Sequence, residues 1–245
     1  MADVVLLIPW RSEPSRERAL ALSSEFWLEH FPRVTRGLGD SLAEPFSLSE
    51  TRNQLVEAMA GEHPPGTVFI LADADTVGEP AAIREAVNLA STDGKIHLPY
   101  RVYRSLGSAG TWEHESGLPL GQCSHLVING ATSGIYIGTA DAWRMTGGQD
   151  PRFRGWGFED CAWAAAYRCL AGEPPRRHHG RLYAFHHDPA IKAEGPHWRQ
   201  NMELMQRYYD AERHGRDSML SLIGERGDIS IESVGHADRE RGAVG

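Results

Sequence analysis

The sequence predicts an α/β protein, one domain with a mostly parallel central sheet flanked by helices. Three observations carry this. Residues 4–10 (VVLLIPW) are an unbroken apolar run ended by a proline, as a strand buried on both faces requires. A second apolar run, residues 69–72 (FILA), leads straight into two acids, Asp73 and Asp75. Segments of helical spacing alternate with such runs, and that alternation implies parallel strands joined by crossover helices.

Taken in order, residues 4–10 form the first central strand. Residues 15–30 place Ala19, Leu22, Phe26 and Trp27 at helical spacing, and Pro32 ends the helix. Residues 49–60 form a second helix with Ser49 as its N-cap, followed by Gly61 and two prolines before the strand that carries the aspartates. Residues 80–90 form a third helix and residues 95–99 (KIHLP) a short strand. Residues 104–130 are rich in Gly, Ser and His with little periodicity and are expected to be a long loop over the site. A strand follows at 131–139, an Ala-rich helix at 160–170, a last strand at 181–187 (RLYAFHH) and a closing helix at 198–211. From Gly224 the chain is polar and weakly patterned, which divides it into a domain of residues 1–223 and a peripheral tail of residues 224–245.

The bulk composition narrows the function. A chain of 245 residues, 41% hydrophobic, can bury one sizeable core. Its 33 acidic and 25 basic residues leave a net charge of -8, which opposes broad binding to nucleic acid or anionic membrane, local clusters such as Arg176, Arg177 and Arg181 aside. Three cysteines (Cys123, Cys161, Cys169) without CxxC spacing suggest neither a disulfide framework nor a zinc site, and fit a reducing compartment. The apolar run of residues 4–8 follows no basic leader and is too short to span a bilayer, so a soluble cytoplasmic protein with no membrane partner is expected.

Three stretches carry chemistry. Acids at the carboxyl end of a strand in an open α/β sheet face the ligand crevice, which is where Asp73 and Asp75 fall; a polar turn capping the next helix is the plainer alternative. In RFRGWGFEDCAWAAAY, glycines flank Trp156 and free its indole to form a flat wall, while Glu159 and Asp160 open a helix whose dipole favours acids in any case. In AFHHDPAIK, His186 and His187 end an apolar strand, where a lone histidine is most often a hydrogen-bonded core residue. Two carboxylates plus an imidazole suit Mn²⁺ or a similar ion such as Mg²⁺, with positions left for phosphate oxygens.

With these motifs in this order, residues 4–195 resemble glycosyltransferases of the GT-A fold, in particular the β-1,4-galactosyltransferase, chondroitin polymerase and polypeptide N-acetylgalactosaminyltransferase type. The resemblance implies that Pro9 and Arg11 of IPWRS line a uridine diphosphate pocket, and that Arg52 and Asn53 of FSLSETRN face the nucleotide. It implies that LADAD is the DxD element, with Asp73 and Asp75 holding metal, diphosphate and ribose, and that TSGIYIG is the strand near the donor sugar. In GWGFED, Trp156 and Gly157 would wall the acceptor site, and the acid pair would bind acceptor hydroxyls and supply the base. FHHDPAIK would supply the third metal ligand; the family pattern His-x-x-Pro favours His186 with Pro189, and His187 is the alternative. Cys161 stands where relatives often carry a third acid, which bears on acceptor specificity.

The implied reaction moves a sugar from a nucleotide donor, UDP-linked, to an acceptor hydroxyl on a glycan, protein, small molecule or modified nucleobase. Asp160 is the candidate general base and Glu159 orients the acceptor. An acid in that position, where retaining relatives tend to have an amide, implies inversion. Two rivals remain. A haloacid-dehalogenase-type phosphatase would use Asp73 as nucleophile, but neither Lys95 nor Lys192 precedes a strand-end acid pair. A nucleotide-sugar-binding module without turnover would keep the fold and lose the chemistry.

Overall fold

The computed structural model describes residues 3–41, 43–155, 157–188 and 196–226. Strand β1 (Val4–Pro9), with five consecutive buried positions, is joined by helix α1 (Pro14–His30) to β2 (Thr35–Gly39), and β2 by α2 (Leu48–Glu62) to β3 (Val68–Ala72). β2 and β3 lie on either side of β1 and parallel to it, which is the arrangement two crossover helices dictate. The cap of α2 is Ser47, whose hydroxyl accepts from the Glu50 N–H at 3.3 Å, and not Ser49 as expected. Ser47 has extended backbone angles suited to a cap, whereas Ser49 is already buried within the first turn.

Beyond β3 come a short β4 (Thr76–Gly78), α3 (Pro80–Asp93) and β5 (His97–Leu98). The stretch expected to be a loop then forms β6 (Val102–Ser105), α4 (Gly107–Glu115) and, after a single 3-10 turn, β7 (Leu126–Ile128), which pairs antiparallel with β6. Its glycines misled the expectation because at least one serves packing rather than flexibility. A Cβ on Gly110 would sit 1.9 Å from the Ser124 carbonyl oxygen, so only glycine lets α4 lie against that backbone. The chain continues through β8 (Ile135–Thr139), α5 (Ala140–Arg144), α6 (Glu159–Ala171), β9 (Arg176–Arg177), β10 (Arg181–Ala184), α7 (Pro196–His214) and α8 (Arg216–Gly224).

Among the described residues the central sheet is ordered β2-β1-β3-β8-β5-β9, with β8 alone running against the rest, so it is mostly parallel as expected. A second sheet, β4-β10-β6-β7, stands at the carboxyl end of β3 and brings β10 and β6 to the aspartate turn. The core is apolar and aromatic: Trp143 and Trp163 stack at 5.3 Å and Tyr136 meets both edge-on. A smaller cluster under α6, α7 and α8 includes Leu170, Tyr208 and Met219. Arg226 is fixed there by Tyr208 and lies 3.7 Å from buried Asp150, while residues 227–245 of the expected tail lie outside the described residues. Among the described residues no helix is long and apolar enough to cross a membrane.

Candidate active site

The aspartates sit where β3 ends and the chain reverses into β4. The Asp73 N–H donates to the Gly134 carbonyl at 2.8 Å, and the Thr76 hydroxyl donates to the carbonyls of Asp73 and Gly134, both at 3.0 Å. The turn is therefore fixed by β8 next to it, and its acids do not cap α3, whose N-cap is Glu79. On the other side the Phe185 N–H donates to the Asp75 carbonyl at 2.9 Å, which docks the end of β10 on the same turn.

That docking decides between the histidines. His187 brings Nε2 to 3.4 Å from Asp75 Oδ2, and its Nδ1 donates to the Asp188 carbonyl at 2.7 Å. His186, the residue favoured by its spacing to Pro189, is exposed, and its backbone N–H donates to the Thr111 hydroxyl at 2.8 Å. Of the two histidines, His187 is therefore the one set beside Asp75. β10 ends at Ala184, short of the expected 187, and the chain beyond it, docked through the Phe185 N–H, brings His187 and not His186 to Asp75. Asp75 raises the His187 pKa above its ordinary value against the opposing effect of burial. Residues 189–195, with Pro189 and Lys192, lie outside the described residues.

Arg52 links the two acidic motifs. It is fully buried, pairs with Asp73, donates to Gln149 Oε1 at 2.9 Å, lies 3.8 Å from Glu159 and stacks over the Tyr136 ring at 5.2 Å. Burial works against its charge, but Asp73, Tyr136 and Glu159 outweigh it and hold the guanidinium protonated. Asp73 in turn has its pKa raised by burial and by the nearby Asp75 and Asp160, with Arg52 opposing. Glu159 is pushed up to about 7, by burial first and the adjacent Asp160 second, again with Arg52 opposing. Asp73, Asp75, Glu159, Asp160 and Arg52 therefore lie within electrostatic reach of one another. Arg52, expected to face the nucleotide, has no exposed surface, and its guanidinium meets Asp73.

The loop before α6 is strained. Gly155 and Gly157 have φ of 66° and 101°, and Phe158 is in the same left-handed region at 77°, a conformation that costs a non-glycine residue on the order of 1–3 kcal/mol. Buried Asn201 of α7 holds the loop by accepting from the Arg154 N–H at 3.3 Å and donating to the carbonyls of Arg154 and Gly157 at 2.9 and 3.3 Å. Asp160 is oriented by the Thr132 hydroxyl at 3.2 Å and the Cys161 N–H at 2.8 Å. Burial, then Asp160, pushes the Cys161 thiol up to about 12, so it is a neutral neighbour of the acids. Trp156 lies outside the described residues.

The remaining expected donor contacts are occupied. Arg11 forks onto Asp40 at 2.7 and 2.9 Å, reaches Glu44 at 2.8 Å and lies over Phe46, while Pro9 is buried at the end of β1. Asn53 donates to the Gln149 carbonyl at 2.7 Å and accepts from the Gln149 N–H and the Trp143 indole at 2.9 and 3.0 Å. Asn53 thereby braces the segment around Gln149. Sequence reasoning missed Gln149, Thr132 and two tyrosines. Tyr100 donates to the Ser133 carbonyl, and Tyr103 has its hydroxyl pKa raised by burial and by nearby Asp75, Asp73 and Asp160. The signal was their position after a predicted strand, LPYRVY, obscured by the loop assignment.

For a divalent ion the donor chemistry fits. Asp73 and Asp75 offer hard oxygens, and His187 turns Nε2 to Asp75 while its other nitrogen is fixed by a carbonyl, as metal-bound histidines are. Among the described residues no three such side chains are gathered into a ready cage, so donor oxygens would complete the shell.

No protein-family model matches the sequence, and no curated protein matches it. Solved structures do resemble the fold. Drosophila β-1,4-galactosyltransferase 7, in complex with manganese, UDP-Gal and xylobiose, aligns with TM-score 0.52 and 12% identity over 82% of this chain and 79% of that chain. GalNAc-T7 with UDP, GalNAc and Mn²⁺ aligns with TM-score 0.47 and 10% identity over 91% of this chain and 54% of that one. At 12% identity the likeness to the galactosyltransferase structure speaks to fold alone: this chain has the GT-A fold.

Proposed function

We propose that the protein is a metal-dependent glycosyltransferase that moves a sugar from a nucleotide donor, UDP-linked, to an acceptor hydroxyl with inversion. The observation that carries this reading is Arg52, which ties the aspartate of a strand-end DxD turn to the acid pair of GWGFED inside a GT-A fold. Asp73, Asp75 and His187 would hold the ion. When bound, such an ion would supply positive charge against the departing diphosphate. Asp160, oriented by Thr132, takes the acceptor proton as the acceptor oxygen bonds to the anomeric carbon and the diphosphate leaves with the electron pair of the broken bond. Glu159 orients the acceptor, and Arg52 fixes the position of Asp73 and opposes the rise that burial imposes on its pKa. The galactosyltransferase neighbour, whose structure holds manganese and UDP-Gal, supports the choice of donor and metal.

The phosphatase reading requires Asp73 as a free nucleophile, but Arg52 holds it, and Lys95 is engaged by Glu173. A screen of nucleotide sugars with Mn²⁺, reading release of the nucleoside diphosphate, tests the proposal. Release from UDP-sugars above GDP-sugars is expected. Donor binding without release under any acceptor would favour the binding-module reading instead.

A further inference from the structure

Beside the segment that orients Asp160 lies a cavity of about 330 Å³ lined by Arg101, Glu173, Pro174, Pro175, Arg176 and Arg177. Its charges do not cancel. Glu173 is taken by Lys95, and Arg176 pairs with Asp93 at 3.0 Å. Among the described residues Arg101 and Arg177 have no carboxylate partner; Arg101 is exposed, and Arg177 spends one N–H on the Ala131 carbonyl at 2.7 Å while stacking over Tyr100 at 5.6 Å. Two guanidinium groups without a carboxylate partner on one cavity stand out in a chain of net charge -8. Planar guanidinium forks are the side chains best matched to carboxylate, sulfate and phosphate oxygens.

The cavity is joined to the acid pair by a short run of contacts. Arg177 holds Ala131, Tyr100 donates to Ser133, and Thr132 between them donates to Asp160 at 3.2 Å. Tyr100, under the Arg177 guanidinium, also feels the charge of Asp160. The volume is at the lower end of ligand sites, enough for one sugar unit or its charged substituent.

We propose that this cavity binds an oxyanion carried by the acceptor, which makes the acceptor an acidic saccharide. The identity of the molecule as acceptor rests on the glycosyl-transfer reading; the existence of an anion site does not. Arginine side-chain NMR on the full chain, titrated at constant ionic strength with glucuronate, glucose 6-phosphate or neutral glucose, tests the site. Saturable shifts with one or both anions and none with glucose are expected, and the tighter anion distinguishes carboxylate from phosphate. Arg101→Gln, an exposed change that should leave the melting temperature in place, should weaken anion binding about tenfold. Equal responses to glucuronate, glucose 6-phosphate and glucose, or wild-type anion affinity in Arg101→Gln, would overturn the site. In the nucleoside diphosphate release assay an acidic acceptor should exceed its neutral counterpart in kcat/KM, and Arg101→Gln should raise KM for the acidic one alone. Equal use of both acceptors would overturn the assignment to the acceptor. Anion binding with no release from any donor would leave the site standing and sink glycosyl transfer.

Discussion

Replacing Arg52 by methionine should destabilise the protein strongly and in a pH-dependent way. The side chain has no accessible surface, and its loss strands two partners at once, the Asp73 carboxylate and the buried Gln149 amide oxygen. Breaking a buried pair by removing one partner costs about 3–5 kcal/mol, which for a chain of this size lowers the melting temperature by about 6–20 °C. A domain of ordinary stability, about 5–15 kcal/mol, survives that loss near room temperature and can still be measured. The penalty follows the charge on Asp73. Burial already raises the pKa of that carboxyl, and without Arg52 it rises further, so the cost is present above the raised pKa and relieved as pH falls and Asp73 protonates. Urea unfolding of wild type, Arg52→Met, Asp73→Asn and the double variant at pH 8 and pH 5 closes the cycle. The double variant should be less damaged than the sum of the singles by at least about 1 kcal/mol. A loss below about 1 kcal/mol in Arg52→Met, or the same loss at both pH values, would refute the reasoning.

Three further outcomes are expected. Asp160→Asn should lower transfer by about 10²- to 10⁴-fold with donor affinity nearly intact, because asparagine keeps the bond to Thr132 and cannot take a proton; a fully active variant, read by steady-state rates, would remove Asp160 as the base. His187→Ala should weaken Mn²⁺-dependent binding of uridine diphosphate in calorimetry while His186→Ala leaves it alone, and the opposite ranking would return the ligand to His186. Glu159→Gln should flatten the pH dependence of stability. The folded carboxyl titrates near 7, above its unfolded value, so wild type gains stability as pH falls from above 7 toward about 4.5, and the glutamine variant lacks that gain. Parallel melting curves for the two proteins across that range would show that Glu159 is not the group titrating.

The sequence by itself determined what depends on neighbours along the chain. An apolar run such as residues 4–8 must be a buried strand, the spacing of Ala19, Phe26 and Trp27 must be one face of a helix, and acids directly after a buried strand must emerge at its end. Pattern failed where elements were short. The four residues of β6 and three of β7 cannot show a period, and Gly110 in α4 looked like a loop residue because the carbonyl that demands it belongs to Ser124. The tertiary structure alone decided which of His186 and His187 meets Asp75, since that follows from the docking of the Phe185 N–H on the Asp75 carbonyl, residues far apart in the sequence. It also decided that Arg52 turns inward. A guanidinium on an apparently ordinary helix becomes a buried counter-ion only because β3 and α6 deliver Asp73 and Glu159 to the same point, and burial, charge and pKa are properties of that meeting and of no single segment.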